Sequence, residues 1–174
     1  MTRGALAAVA AALLAACAGG PPPPAPLDTR NDACAYCRMA VSERRFAAQV
    51  VAPAEEPLFF DDLGCLRSWL GDENENGDRL SFSGESGTLP ISPTTEKDNL
   101  SPFSIAYVAD HRTGEWVPAS VAVYTEVPGL ETPMGSHLIA HADAASRAAD
   151  PIASSGKAAR AAEVFGATLP EGKP

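Results

Sequence analysis

Four consecutive prolines, Pro21–Pro24, divide this chain. Proline fixes φ and has no N–H, so the run can enter neither a helix nor a central strand. It favours a polyproline II rod, a stiff spacer of roughly 3.1 Å per residue. What precedes the run is therefore mechanically separate from what folds after it. The body begins near Asp28, and its length suits one domain or two small ones packed together.

Within the body, Phe46–Ala52 reads as a strand, residues 53–57 as a turn and Leu58–Phe60 as a second strand, a plausible hairpin. Asp61 or Asp62 can cap the helix DLGCLRSWLG, in which Leu63, Leu66, Trp69 and Leu70 fall at helical spacing. From Asp72 to Ser104 the chain is polar and reads as an extended loop, with a strand near Leu80–Phe82. Phe103–Asp110 alternates and ends in the turn HRTGEW, which leaves His111 solvated. Val121–Tyr124 and Leu138–His141 follow as strands; a short helical start at Pro118 is the alternative for the first. The alanine-rich stretch from Asp143 is helical, Pro151 breaks it, and residues 156–165 form a terminal helix. The class is α+β. Trp69 and Trp116 read as core anchors.

Before the prolines stand Arg3 and an apolar run from Ala5 to Ala16. That run is short of the about 20 residues a membrane span needs and fits a secretory leader. Leu14-Ala15-Ala16-Cys17 resembles the lipobox of bacterial lipoproteins, in which Cys17 would carry lipid. The expected organisation is a signal peptide at 1–16, a lipidated cysteine and tether at 17–30, a first unit at 31–118, a second at 119–170 and a frayed tail at 171–174. Ala18 after the cysteine leans, by analogy, towards the outer membrane, facing the periplasm. The formal net charge of −9 argues against a nucleic-acid partner.

With Cys17 assigned to lipid, Cys34, Cys37 and Cys65 remain of the four cysteines. An odd number cannot complete a disulfide framework within one chain. CAYCRM, Cys34 to Met39, offers two thiols and a thioether. Met134 sits in the turn TPMGS. Thiolate and thioether are soft ligands that select Cu(I), whereas a thioether is not a normal zinc ligand. Cys37 and Met39 share a face if the segment is extended. A turn through Ala35-Tyr36 would bring Cys34 to the same place. Cys65 is either core or a neighbour of the site. A structural disulfide or a redox couple at Cys34 and Cys37 are the competing readings.

The ordered set DACAYCRM (32–39), FFDDLGCL (59–66), YVADHRTGEW (107–116) and ETPMGSHLIAH (131–141), with the lipobox, resembles the NosL family of copper-binding lipoproteins. The resemblance implies Cu(I) held by Cys37, Met39 and Met134, with Cys34 as an additional thiol. It implies a non-catalytic protein that serves nitrous oxide reductase assembly in denitrification, with that enzyme or its transporter-associated maturation proteins as partners. The implied fold is two small ββαβ-like units packed together, similar to organomercurial lyase. In this scheme Cys37 supplies the anionic thiolate, and the two methionines complete the shell and permit transfer. His137 stands where relatives often carry glycine, and His141 where an aromatic is common. Each either adds a ligand or sits at a surface. The alternative is a periplasmic thiol-disulfide oxidoreductase or a thiol-dependent lyase-like enzyme.

Overall fold

A computed structural model describes residues 21–71, 101–166 and 169–171. The leader, Cys17, most of the polar stretch after Gly71 with its expected strand at Leu80–Phe82, and the last three residues lie outside them. Among the described residues no helix is long and apolar enough to cross a membrane.

The chain is α+β, with two small antiparallel sheets. Strands β1 (Ala48–Val51), β2 (Leu58–Phe60), β3 (Ile105–Ala109) and β4 (Trp116–Pro118) form the first, in the order β2-β1-β3-β4. Strands β5 (Val123–Glu126), β6 (Leu138–His141) and β7 (Lys157–Arg160) form the second, in the order β6-β5-β7. Helix α1 (Leu63–Gly71) follows β2, and helix α2 (Ala144–Ala148) follows β6. Helix α3 (Ala161–Phe165) closes the chain.

The two sheets repeat one plan. In each, the first strand is central, the second lies on one side, a helix follows, and the third strand returns to the other side. The register repeats too: Ala48 faces Phe60 in the first sheet, and Val123 faces His141 in the second. Each helix begins just after an aspartate, Asp62 or Asp143, whose carboxylate accepts an N–H of the first turn.

Strand alternation decides what each face of the first sheet buries. Phe60 points to α1, where its ring meets Trp69 at 5.4 Å between centroids. Helix α1 thus buries Leu63, Cys65, Leu66, Trp69 and Leu70. That core runs on into the second unit through Tyr124, Leu138, Ala140 and Phe165. The opposite face carries Gln49 and Tyr107, which are register partners. The proline-rich segment lies across it. Gln49 accepts the Ala25 N–H at 2.7 Å and donates to the Ala25 carbonyl, and the Tyr107 hydroxyl donates to the Pro22 carbonyl at 2.6 Å. Residues 22–27 are therefore not a free spacer. Ala25 and Leu27 pack on the core, and the stiffness of the prolines is used against the sheet.

Two strands were not apparent in the sequence. Residues 156–165 form β7 and then a one-turn helix, rather than one helix. Lys157–Arg160 pairs with all four residues of β5, and pairing along an open strand outweighs the modest helix preference of two alanines. A Cβ on Gly156 would stand 2.5 Å from the Glu126 carbonyl oxygen, so close approach there requires glycine. Strand β4 lies in what reads as a turn and its exit. The chain after Pro118 turns through Ala119–Val121 before β5 instead of starting a helix. Beyond α3, the Pro170 carbonyl accepts the Ala106 N–H, and Glu171 bridges Ile105.

Candidate metal centre

The CAYCRM segment is a closed turn. The Cys34 N–H donates to the Met39 carbonyl at 2.7 Å, and the Arg38 N–H donates to the Cys34 carbonyl at 3.0 Å. The turn passes through Ala35 and Tyr36 as expected. Arg38 then takes φ +66°, in the left-handed region, so Cys37-Arg38-Met39 is not extended and the shared-face argument for Cys37 and Met39 does not hold. Closing a loop of so few residues required the reversal.

That turn is fixed to β2, since the Ala35 N–H donates to the Phe59 carbonyl at 2.7 Å. The result brings Cys34 over the start of α1, where Cys65 faces it. Cys34, Cys37, Asp61 and Cys65 place one ligand atom each within 4.8 Å of one another and could hold a metal ion. All three cysteines are free thiols. Cys34, Cys65 and Asp61 are buried, and Cys37 is half-buried at the edge. The Cys37 thiol donates to Asp61 Oδ1 at 3.4 Å.

The thiols are electrostatically unequal. The Cys65 thiol donates to Cys34 Sγ, and the backbone N–H groups of Cys37 and Asp61 also point at it. Together they overcome burial and bring the Cys34 pKa down to about 6. Cys65 is pushed up, first by that same hydrogen bond and then by burial. Cys37 is raised by burial and by the neighbouring Cys34. These shifts favour the thiolate form at Cys34 and hold Cys37 and Cys65 towards the neutral thiol.

The second half shows what this scaffold does without thiols. Asp110 bridges Ala140 as Cys34 bridges Phe59, in parallel sense both times. The His111 N–H donates to the Ala140 carbonyl at 2.8 Å, the counterpart of Ala35 on Phe59. The Asp110 carboxylate accepts from the N–H groups of Thr113 at 2.9 Å and Ala142 at 2.8 Å, and from the Ser146 hydroxyl at 2.6 Å. These three donors correspond in position to Cys37, Asp61 and Cys65. Although burial opposes it, they hold Asp110 well below the usual carboxylate range. An anion at this corner is built into the plan. Oxygen groups close it in the second half and sulfur groups in the first, so the fold does not itself require sulfur.

Met134 lies in a turn docked at the same end. Its N–H donates to Asp62 Oδ2 at 2.9 Å, one residue from the Asp61 that accepts from Cys37. Ser136 lies so near the start of α1 that a Cβ on Gly64 would meet Ser136 Cβ at 2.7 Å. Burial opposes ionisation of Asp62, but donors from Ser136, Thr132, Met134 and Gly64 keep its pKa low. Asp62 thus caps α1 and holds the methionine turn with the same carboxylate. Met39 and Met134 are both exposed, at 48% and 45%.

The histidines are elsewhere. His137 has φ +60°, the conformation that glycine takes without strain, and its Nδ1 pairs with the Leu130 carbonyl at 2.6 Å. His141 is fully buried on Asp150. His111 is not solvated: its Nδ1 lies 2.6 Å from Asp150 Oδ2, and its ring packs on Phe46. Its partner stands 39 residues away, beyond any local signal. Trp116 is half-buried under the Arg44 guanidinium at 4.9 Å, so it anchors less of the core than Trp69. Cys65 was the member that sequence left undecided, whereas Asp61 read only as a candidate helix cap and joins the thiols instead. Their adjacency to a capped helix start, facing a CxxC turn, was the available signal.

No family model matches the chain, and no curated protein matches it.

Proposed function

We propose that this protein is a periplasmic lipoprotein that carries Cu(I) as cargo and passes it to the maturation machinery of a copper enzyme, with nitrous oxide reductase the target implied by the resemblance to NosL proteins. One observation carries the reading. A three-thiol cluster with an aspartate beside it occupies a corner that its own second half closes with Asp110 and Ser146. Thiolates select soft ions. Cys34 and Cys65 form the buried floor, Cys37 the accessible lip, and Met39 and Met134 the exposed thioethers through which copper would leave by ligand exchange. The repeated β-β-α-β order supports the two-unit, organomercurial-lyase-like fold. The absence of catalysis is part of the proposal. Cys34 and Cys37 sit in a turn and not at a helix N-terminus, the usual place of a catalytic CxxC.

A second reading has its own support. Asp61 adds a buried oxygen to three thiols, and four such ligands suit zinc. Anaerobic titration of the reduced chain decides between them. Carrying copper requires about one Cu(I) per chain, retained against an equal concentration of zinc. Displacement of the copper by that zinc would defeat the copper reading in favour of the structural ion.

A further inference from the structure

We infer that His111, His141 and Asp150 form a second metal site, separate from the thiols, for a borderline divalent cation such as zinc. Their ligand atoms lie within 4.8 Å of one another, and the group shares no residue with the cysteine cluster. Asp150 Oδ2 faces both rings, at 2.6 Å from His111 Nδ1 and 3.0 Å from His141 Nε2. All three side chains are more than nine-tenths buried. Two imidazoles and a carboxylate are a zinc-type donor set. Bonds of about 2.0 Å in a tetrahedral site put neighbouring ligand atoms roughly 3.3 Å apart. The two carboxylate–imidazole spacings are those of hydrogen bonds, and an ion between these atoms needs them to part by roughly 0.3–0.7 Å.

Two further observations bear on why histidines stand here. His141 Nδ1, which is not the ring nitrogen facing Asp150, is buried with no hydrogen-bond partner among the described residues. An ion held by Nε2 would not satisfy it, but an unsatisfied buried polar atom is costly, so an apolar ring would serve packing better. The first half shows that alternative. Counting back 81 positions from His141 and Asp150 gives Phe60 and Trp69, which pack as an aromatic pair at 5.4 Å. The place of His111 is taken there by Ala35, whose N–H makes the equivalent bond to the neighbouring strand. Neither histidine is demanded by the scaffold, and both converge on one carboxylate oxygen.

His111 lines an open pocket of about 350 Å³ with Glu43, Thr113 and Gly114 and with three arginines, Arg44, Arg45 and Arg112, and a solvent molecule entering there would be the fourth ligand. The Arg44 side chain is already committed, with Nε on the Gly114 carbonyl and its guanidinium over Trp116. A bound ion would join the turn after β3, strand β6 and the turn after α2.

The test is zinc retention by the full chain, purified reduced and metal-free, after equilibrium dialysis against micromolar zinc. In a C34S/C37S/C65S chain we expect about one zinc with a nitrogen and oxygen shell and imidazole scattering at the zinc K-edge. His141→Phe, which copies the first half and fills the volume, should lower that affinity at least ~100-fold, as should Asp150→Asn. A folded triple-serine chain that retains no zinc overturns the proposal. If the triple-serine chain does not fold, the wild-type chain against H141F decides: one zinc fewer supports the site, and an equal count overturns it. None of these outcomes depends on whether the thiols carry copper.

Discussion

The correspondence between the halves can be tested by copying one into the other. Replacing Cys34, Asp61 and Cys65 by the residues that occupy their places in the second half gives C34D/D61A/C65S, matching Asp110, Ala142 and Ser146. The comparison is C34A/C65A. Cys34 Sγ accepts the N–H groups of Cys37 and Asp61; with alanine both donors are left buried and unpaired. Each costs about 1–3 kcal/mol, so the alanine pair should lose roughly 2–6 kcal/mol, a large part of a typical total of about 5–15 kcal/mol. The triple variant restores an anionic acceptor for both donors and a hydroxyl in place of the Cys65 thiol. It also removes the Asp61 carboxylate, which would repel the one introduced in place of Cys34. Its cost is the larger side chain, about 1–3 kcal/mol if the corner cannot relax. Urea unfolding of the reduced, metal-free proteins should therefore place the triple variant above the alanine pair by about 2 kcal/mol, the difference between the middles of those two ranges. Competition against a chromogenic Cu(I) chelator should show both variants weakened at least ~100-fold, about 2.7 kcal/mol. A triple variant no more stable than the alanine pair would refute the structural equivalence. One that still binds Cu(I) tightly would remove the buried thiols from the site.

Three further outcomes are expected. Gly64→Ala should gain about 1 kcal/mol of helix preference but drive its Cβ into Ser136, displacing the Met134 turn and weakening Cu(I) binding several-fold. Gly71→Ala, with no described atom within 4 Å of its Cβ, should leave affinity alone, and equal affinity in both variants would detach Met134 from the site. The folded pKa of Cys34, about 6, lies below an unfolded thiol near ~8.5. Reduced, metal-free protein should therefore lose stability as pH falls from about 8 to 6, and Cys34→Ser should flatten that slope in urea midpoints. Loading all three thiols near neutral pH should release about two protons per ion, from Cys37 and Cys65, whereas a calorimetric release near three would mean that Cys34 starts protonated. Gln49→Leu should strip the Ala25 N–H and carbonyl of their partners and abolish hydrogen-exchange protection of the Ala25 amide, and unchanged protection would show that the proline segment is held by packing alone.

Local chemistry was legible where a local rule governed it. Leu63, Leu66, Trp69 and Leu70 at helical spacing behind Asp62 gave α1, alternation gave β3, and a short strand-like run after the Met134 turn gave β6. The Cys34–Met39 turn followed from the short spacing of its thiols. What escaped notice depended on partners far along the chain. β7 is a strand because β5 offers an open edge, and His111 is buried because Asp150 reaches it. Arg38 reverses because Cys34 and Met39 close on each other, a constraint that residue types do not announce. The repeat itself is nearly silent in the letters, since CAYC and DHRT share none. It is carried by hydrogen-bond register and by the two capping aspartates, which become comparable only once both sheets are built.

The central claim is that copper sits on the thiol floor at the start of α1. Copper K-edge absorption on reduced chain loaded with one Cu(I) tests it most directly, with wild type set beside Cys65→Ala and Met134→Ala. A sulfur-only first shell is expected, losing one scatterer in Cys65→Ala and changing in Met134→Ala. A shell dominated by nitrogen and oxygen, or one that is identical in Cys65→Ala, would contradict it.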